Sequence, residues 1–118
     1  MGEIFDKPYR EERPWGSFLK FTENKKSTVK IITVNAGEAF SLQHHQNREE
    51  RWHIISGSGF VTVGEEKFPV EPGKEFLIKP EIDHRVEAGN ENVVFLEVAV
   101  GEFSEEDIVR IKDKYGRT

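Results

Sequence analysis

Residues 37–57 read Gly-Glu-Ala-Phe-Ser-Leu-Gln-His-His-Gln-Asn-Arg-Glu-Glu-Arg-Trp-His-Ile-Ile-Ser-Gly. Two short segments, Ala39 to His45 and Glu50 to Ser56, flank a polar turn, the pattern of neighbouring strands. Side chains alternate between faces along a strand, so Gln43 and His45 share one face. Glu50, Trp52 and Ile54 also share a parity, and the apolar pair marks it as the inward one. Gln43, His45 and Glu50 are therefore expected to converge inside a small β-structure. His44 and His53 have the opposite parity and are expected on the outer face.

The flanking sequence has the same rhythm. Phe18 to Phe21 alternates weakly, and Val29 to Val34 is β-branched enough for a buried strand. Further strands are expected at Phe60 to Val63, Lys67 to Val70, Glu75 to Ile78, His84 to Glu87 and Val93 to Val100. Turns separate them at Asn35 to Glu38, Gly57-Ser58-Gly59, Gly64-Glu65-Glu66 and Glu71-Pro72-Gly73. Short strands at even intervals predict an all-β sandwich or barrel. No segment between them is long enough for a helical crossover, which argues against a parallel α/β fold.

One short helix is expected near residues 104–114. Ser104 offers an N-cap, acids crowd the first turn, and Gly116 follows Lys112 and Lys114. Residues 1–14, with Pro8 and Pro14, read as an extended N-terminal arm, and residues 15–118 as a single domain. Trp15 and Trp52 are expected in the core.

The chain has 118 residues and a net charge of −5, which argues against nucleic acid or an anionic membrane as partner. There is no cysteine, so disulfide scaffolds, thiolate metal sites and cysteine nucleophiles are excluded. The longest purely apolar run is Val93 to Leu96, and the first residues lack the apolar core of a signal peptide. A cytoplasmic protein is the expectation.

His84, opening a strand after Pro80, is the candidate fourth member of the inward group. Two imidazoles, one carboxylate and one amide oxygen form a donor set suited to one divalent metal ion, zinc first, with manganese, cobalt, nickel or iron also suited.

The spacing Gly37…Gln43-x-His45…Glu50…Gly57 resembles the first cupin motif, with Gln in place of its first histidine, and Gly73 to Pro80 followed by His84 resembles the second. Within the cupins, several stretches resemble type II mannose-6-phosphate isomerase. They are Arg13-Pro14-Trp15-Gly16, Ser41-Leu42-Gln43-x-His45-x-x-Arg48-x-Glu50-x-Trp52, His84-Arg85, Glu97-Val98, Asp107-Ile108-Val109-Arg110 and Asp113-x-Tyr115-Gly116-Arg117. Asn47, Ala36 and Ala99 depart from residues frequent in the family. The resemblance implies a cupin jelly-roll barrel, a divalent metal held by Gln43, His45, Glu50 and His84, and isomerisation between mannose-6-phosphate and fructose-6-phosphate. The family's module often follows a GDP-mannose pyrophosphorylase domain. These 118 residues hold no such domain, so nucleotidyl transfer is not expected of them.

Such a reaction moves a proton between C1 and C2 while charge develops on the substrate oxygens, which a Lewis acid stabilises. Glu97 interrupts the apolar strand Val93 to Val100 and is the candidate proton shuttle. Lys30, Arg48, Arg85, Arg110 and Arg117 are the candidate cations for a phosphorylated hexose. Arg110 and Arg117 would reach one ligand if the C-terminal tail folded over the barrel mouth. The alternatives are a non-catalytic sugar-binding cupin and a metal-dependent cupin dioxygenase. A homodimer through shared edge strands is a further expectation.

Overall fold

The computed structural model describes residues 3–116, with the side chains of the first strand described from Pro8 onward. Eleven strands follow one another, and no helix occurs among the described residues. They are β1 (Glu3–Arg13), β2 (Gly16–Glu23), β3 (Ser27–Val34), β4 (Leu42–His44), β5 (Arg48–Ser56), β6 (Gly59–Val63), β7 (Glu66–Pro69), β8 (Glu75–Ile78), β9 (His84–Ala88), β10 (Val93–Gly101) and β11 (Val109–Lys112). One sheet has the order β3-β10-β5-β8 and a second the order β11-β4-β9-β6-β7, while β1 and β2 form a separate hairpin. All pairings are antiparallel, which makes the molecule an all-β jelly roll with its core between the two larger sheets.

Alternation explains the core. Trp52 and Ile54 of β5, Val93 and Phe95 of β10, Val34 of β3 and Ile78 of β8 meet Val61 of β6 and Val86 of β9. Trp52 anchors this cluster, stacking obliquely on Phe95 at 4.7 Å between centroids and edge-on to Phe40 at 6.1 Å. Trp15 is not in the core. It sits 74% exposed at the β1–β2 turn, where a side chain has no second sheet to pack against.

The expected C-terminal helix is absent. Residues 104–107 make tight turns, with Asp107 N–H donating to the Ser104 carbonyl at 3.1 Å, and the chain then enters β11. Two forces override the local helix signals. β11 completes the edge of a sheet, with Val109 opposite His44 and Arg110 opposite Gln43. Asp107 is also drawn away from any helical first turn, because its carboxylate accepts the backbone N–H groups of Gln46 and Asn47, both at 2.9 Å. Tertiary pairing thus outweighs propensities worth only tenths of a kcal/mol per residue.

Two glycines hold the turns that set the strand register. Gly57 has φ of 119° and Gly59 φ of 130°, and a Cβ at either would overlap a backbone carbonyl, that of Asn92 or of Glu87. Only glycine fits where this turn approaches the start of β10 at Gly57 and the end of β9 at Gly59 this closely.

Candidate metal centre

The strand registers build the site as two facing rows. In the first sheet Lys30 pairs with Glu97 and Glu97 with Trp52, and in the next row Ala99 pairs with Glu50. In the second sheet Arg110 pairs with Gln43 and Gln43 with His84. The inward side chains of both rows line one cavity of about 210 Å³, with exposed Glu105 and half-buried Ile108 at its rim. His45 lies just beyond the end of β4 and also enters this cavity.

His45, Glu50 and His84 are buried and bring one donor atom each to within 4.8 Å of one another. Each imidazole is oriented from behind. His45 Nδ1 donates to the Asp107 carbonyl at 2.6 Å, and His84 Nδ1 donates to the Ile82 carbonyl at 2.9 Å. Both rings therefore carry their proton on Nδ1 and turn the Nε2 lone pair toward Glu50, at 3.4 Å for His45 and 3.8 Å for His84. Backbone carbonyls that fix the tautomer in this way are the usual outer support of metal-binding histidines. Burial pushes the affinity of both rings for a second proton below the ordinary histidine value, which favours the Nε2 atoms unprotonated.

The Glu50 carboxylate is held from several sides. It accepts the Trp52 indole N–H on Oε1 at 3.0 Å and the Arg48 Nε–H on Oε2 at 2.9 Å. Burial opposes its ionisation, yet the neighbouring His84, Arg48 and His45 hold its carboxyl below the usual range. Gln43 lines the cavity with its amide oxygen already fixed by the Ser41 hydroxyl at 2.6 Å.

These residues fit a divalent ion. His84 Nε2 is buried with no hydrogen-bond partner among the described residues, an uncompensated acceptor that a cation would satisfy. Nitrogen and oxygen donors of this kind suit zinc and its first-row neighbours.

Glu97 points inward, 4% exposed, with Oε2 buried and unpartnered. Burial and the adjacent Glu50 push its carboxyl up to about 8, so the two carboxyl groups share a proton near neutrality.

The candidate cations separate. Lys30, Arg48 and Arg110 line the cavity, and Arg110 Nε is buried with no partner among the described residues. Arg48 is turned wholly into the protein. Besides Glu50 it donates from Nη1 to the Ser104 carbonyl at 3.0 Å and from Nη2 to His45 Nε2 at 3.1 Å, and it stacks 4.4 Å from the Phe103 ring centroid. Lys30 pairs with Glu105 at 2.6 Å and also lies over Phe103. Arg85 is directed to the Phe40 carbonyl at 3.1 Å and does not line the cavity. Arg117 lies outside the described residues. His44 and His53, expected on the outer face, pair there with Asp83 and Glu75.

Glu105, Asp107 and Ile108 were not expected at the site, because the helix signals claimed their segment, and Phe103 just before it carried no site signal. The β-branched run Ile108-Val109 with Ile111 was the available sign of a strand.

A jelly roll that gathers two histidines and a carboxylate inside one end defines a cupin with a metal-type centre. Known structures agree on the fold. A cupin protein from Bacteroides fragilis superposes with a TM-score of 0.58 and 26% identity, covering 69% of this chain and 74% of that one. The DMSP lyase DddQ from Ruegeria pomeroyi superposes with a TM-score of 0.66 at 16% identity, covering 80% of this chain and 48% of that one.

The chain belongs to the mannose-6-phosphate isomerase C-terminal family, whose model matches residues 4–113. It is 38% identical over 108 residues to the xanthan biosynthesis protein XanB of Xanthomonas campestris pv. campestris, covering 90% of this chain and 23% of that one. It is 39% identical over 107 residues to the mannose-1-phosphate guanylyltransferase of Klebsiella pneumoniae, covering 89% of this chain and 23% of that one. The chain thus spans about a quarter of the length of these relatives.

Proposed function

We propose that this domain is a metal-dependent sugar-phosphate isomerase that interconverts mannose-6-phosphate and fructose-6-phosphate in the cytoplasm. The observation that carries the reading is the buried His45–Glu50–His84 group, its Nε2 lone pairs aimed into a cavity that also holds Glu97 and cations. Family membership supports a sugar phosphate as the substrate class.

In this reading Gln43, His45, Glu50 and His84 hold one divalent ion, with zinc the first choice. When bound, the ion supplies Lewis acidity for the oxygens on C1 and C2 of the sugar. Glu97 moves the proton between C1 and C2, since among the described residues it is the one carboxyl lining the cavity that is neither directed to a cation nor in the ligand set. Arg110 and Lys30 hold the phosphate at the rim, and Ile108, Phe40 and Trp52 exclude water from the sugar's other face.

The test is conversion of mannose-6-phosphate by the purified chain loaded with zinc, cobalt, manganese, nickel or iron, following the ketose. Metal-dependent turnover supports the reading. Saturable sugar-phosphate binding with no turnover under any of these metals favours a binding module instead.

A further inference from the structure

The lone pair of His45 Nε2 has two claimants. It accepts a hydrogen bond from Arg48 Nη2 at 3.1 Å, and it is the only atom through which His45 can bind a metal, because Nδ1 carries the proton given to Asp107. One lone pair serves one partner. The same holds in part for Glu50, whose Oε2 accepts Arg48 Nε–H at 2.9 Å while facing His45 Nε2 at 3.4 Å. Arg48 is 7% exposed, and all three of its nitrogens are bonded to protein groups.

We infer that Arg48 is a resident cation that competes with the metal for His45 and Glu50, and that metal binding displaces its guanidinium from His45 Nε2. The inference rests on the metal reading above. The exchange balances simply. The Nη2–H···Nε2 and Nε–H···Oε2 hydrogen bonds break, the metal takes the lone pairs they release on His45 and Glu50, and Arg48 keeps its proton because a guanidinium does not deprotonate in proteins. The guanidinium neutralises buried Glu50, whose charge would otherwise be costly in this setting. The remaining anchors of Arg48 are the Ser104 carbonyl and the Phe103 ring, both in the segment that leads to Glu105 and Ile108 at the cavity rim. Metal loading is therefore coupled to the rim through one side chain.

The sign of a mutational effect separates this role from an ordinary supporting one. A residue that only steadies Glu50 and His45 weakens metal binding when removed. A competing cation strengthens it. Zinc dissociation constants are measured by chelator competition for the folded wild-type chain, Arg48→Ala and Arg48→Gln at neutral pH. Both variants are expected to bind zinc about tenfold more tightly, the scale set by losing one charge-assisted competitor. Equal or weaker binding in the variants, with the wild type binding zinc, overturns the role of Arg48 and leaves the metal site standing. No zinc binding by any of the three overturns both.

A second measurement needs no variant. The Arg48 Nε–H, buried against Glu50, is expected to exchange slowly with water. Zinc saturation of the wild-type chain is expected to accelerate that exchange in arginine side-chain NMR. Unchanged or slower exchange overturns the displacement.

Discussion

The imidazole of His45 donates from Nδ1 to the carbonyl oxygen of Asp107 at 2.6 Å, joining two residues 62 positions apart in the chain. That bond selects the tautomer and aims Nε2 at Glu50. It also explains why the 104–107 segment is turned rather than helical, since the Asp107 carboxylate simultaneously caps the N–H groups of Gln46 and Asn47. One residue thus serves the loop that carries His45 with both its backbone and its side chain.

Asp107→Asn should destabilise the chain by about 1 kcal/mol at neutral pH, because one amide oxygen replaces two charged acceptors in an open setting. The hydrogen bonds from Gln46 and Asn47 hold the Asp107 carboxyl below its ordinary value of 3.8. A depressed carboxyl contributes stability above its unfolded value and loses it as pH falls through the folded one. The gap between wild type and variant should therefore close below about pH 4, which denaturant titrations across pH would read. A constant gap at all pH values would place the effect elsewhere.

His84→Ala and Glu50→Gln should each weaken zinc binding at least about 100-fold, judged against the 10- to 100-fold typical of groups one step further from a metal. Elemental analysis after dialysis reads this directly. Stoichiometric zinc in both variants would sink the ligand assignment.

Glu97→Gln should lower kcat for mannose-6-phosphate by roughly 10²- to 10⁴-fold with little change in KM. Zinc affinity should stay within a few-fold, since Glu97 stands outside the ligand set. A fall in zinc content matching the fall in kcat would make Glu97 a ligand and not a shuttle.

Gly59→Ala should cost about 3 kcal/mol or more, from backbone strain combined with overpacking. The clash is with the backbone of Glu87 and Ala88, which cannot swing aside as a side chain would. Gly73→Ala is the control, because open space surrounds that position and only the φ of 85° resists it. Thermal melts of the two variants should rank clearly, with Gly59→Ala the lower.

Much of the site was legible from alternation alone. Glu50, Trp52 and Ile54 share a parity, so a carboxylate had to enter the same interior as the core, and the structure buries all three. His44 and His53 were separable from His45 and His84 on the same ground. Turn residues such as Gly57 and Gly59 marked strand ends because only glycine tolerates their backbone.

Longer-range facts were settled by pairing. Local signals at Ser104 to Asp107 favoured a helix, since an isolated segment weighs only caps and charges. In the folded chain β11 gains a sheet partner in β4, which places Arg110 beside Gln43 and makes a strand the better state. Trp15 reads as a core residue by its size, yet the hairpin turn leaves it no surface to cover. Arg48 carries a sequence signal for an anion-binding cation, but only the folded loop brings Ser104, Phe103 and His45 around it. Period and residue type determine which side of a strand a group takes, because that choice is local. Which partner it meets there depends on strands distant in the chain, and only tertiary structure brings those together.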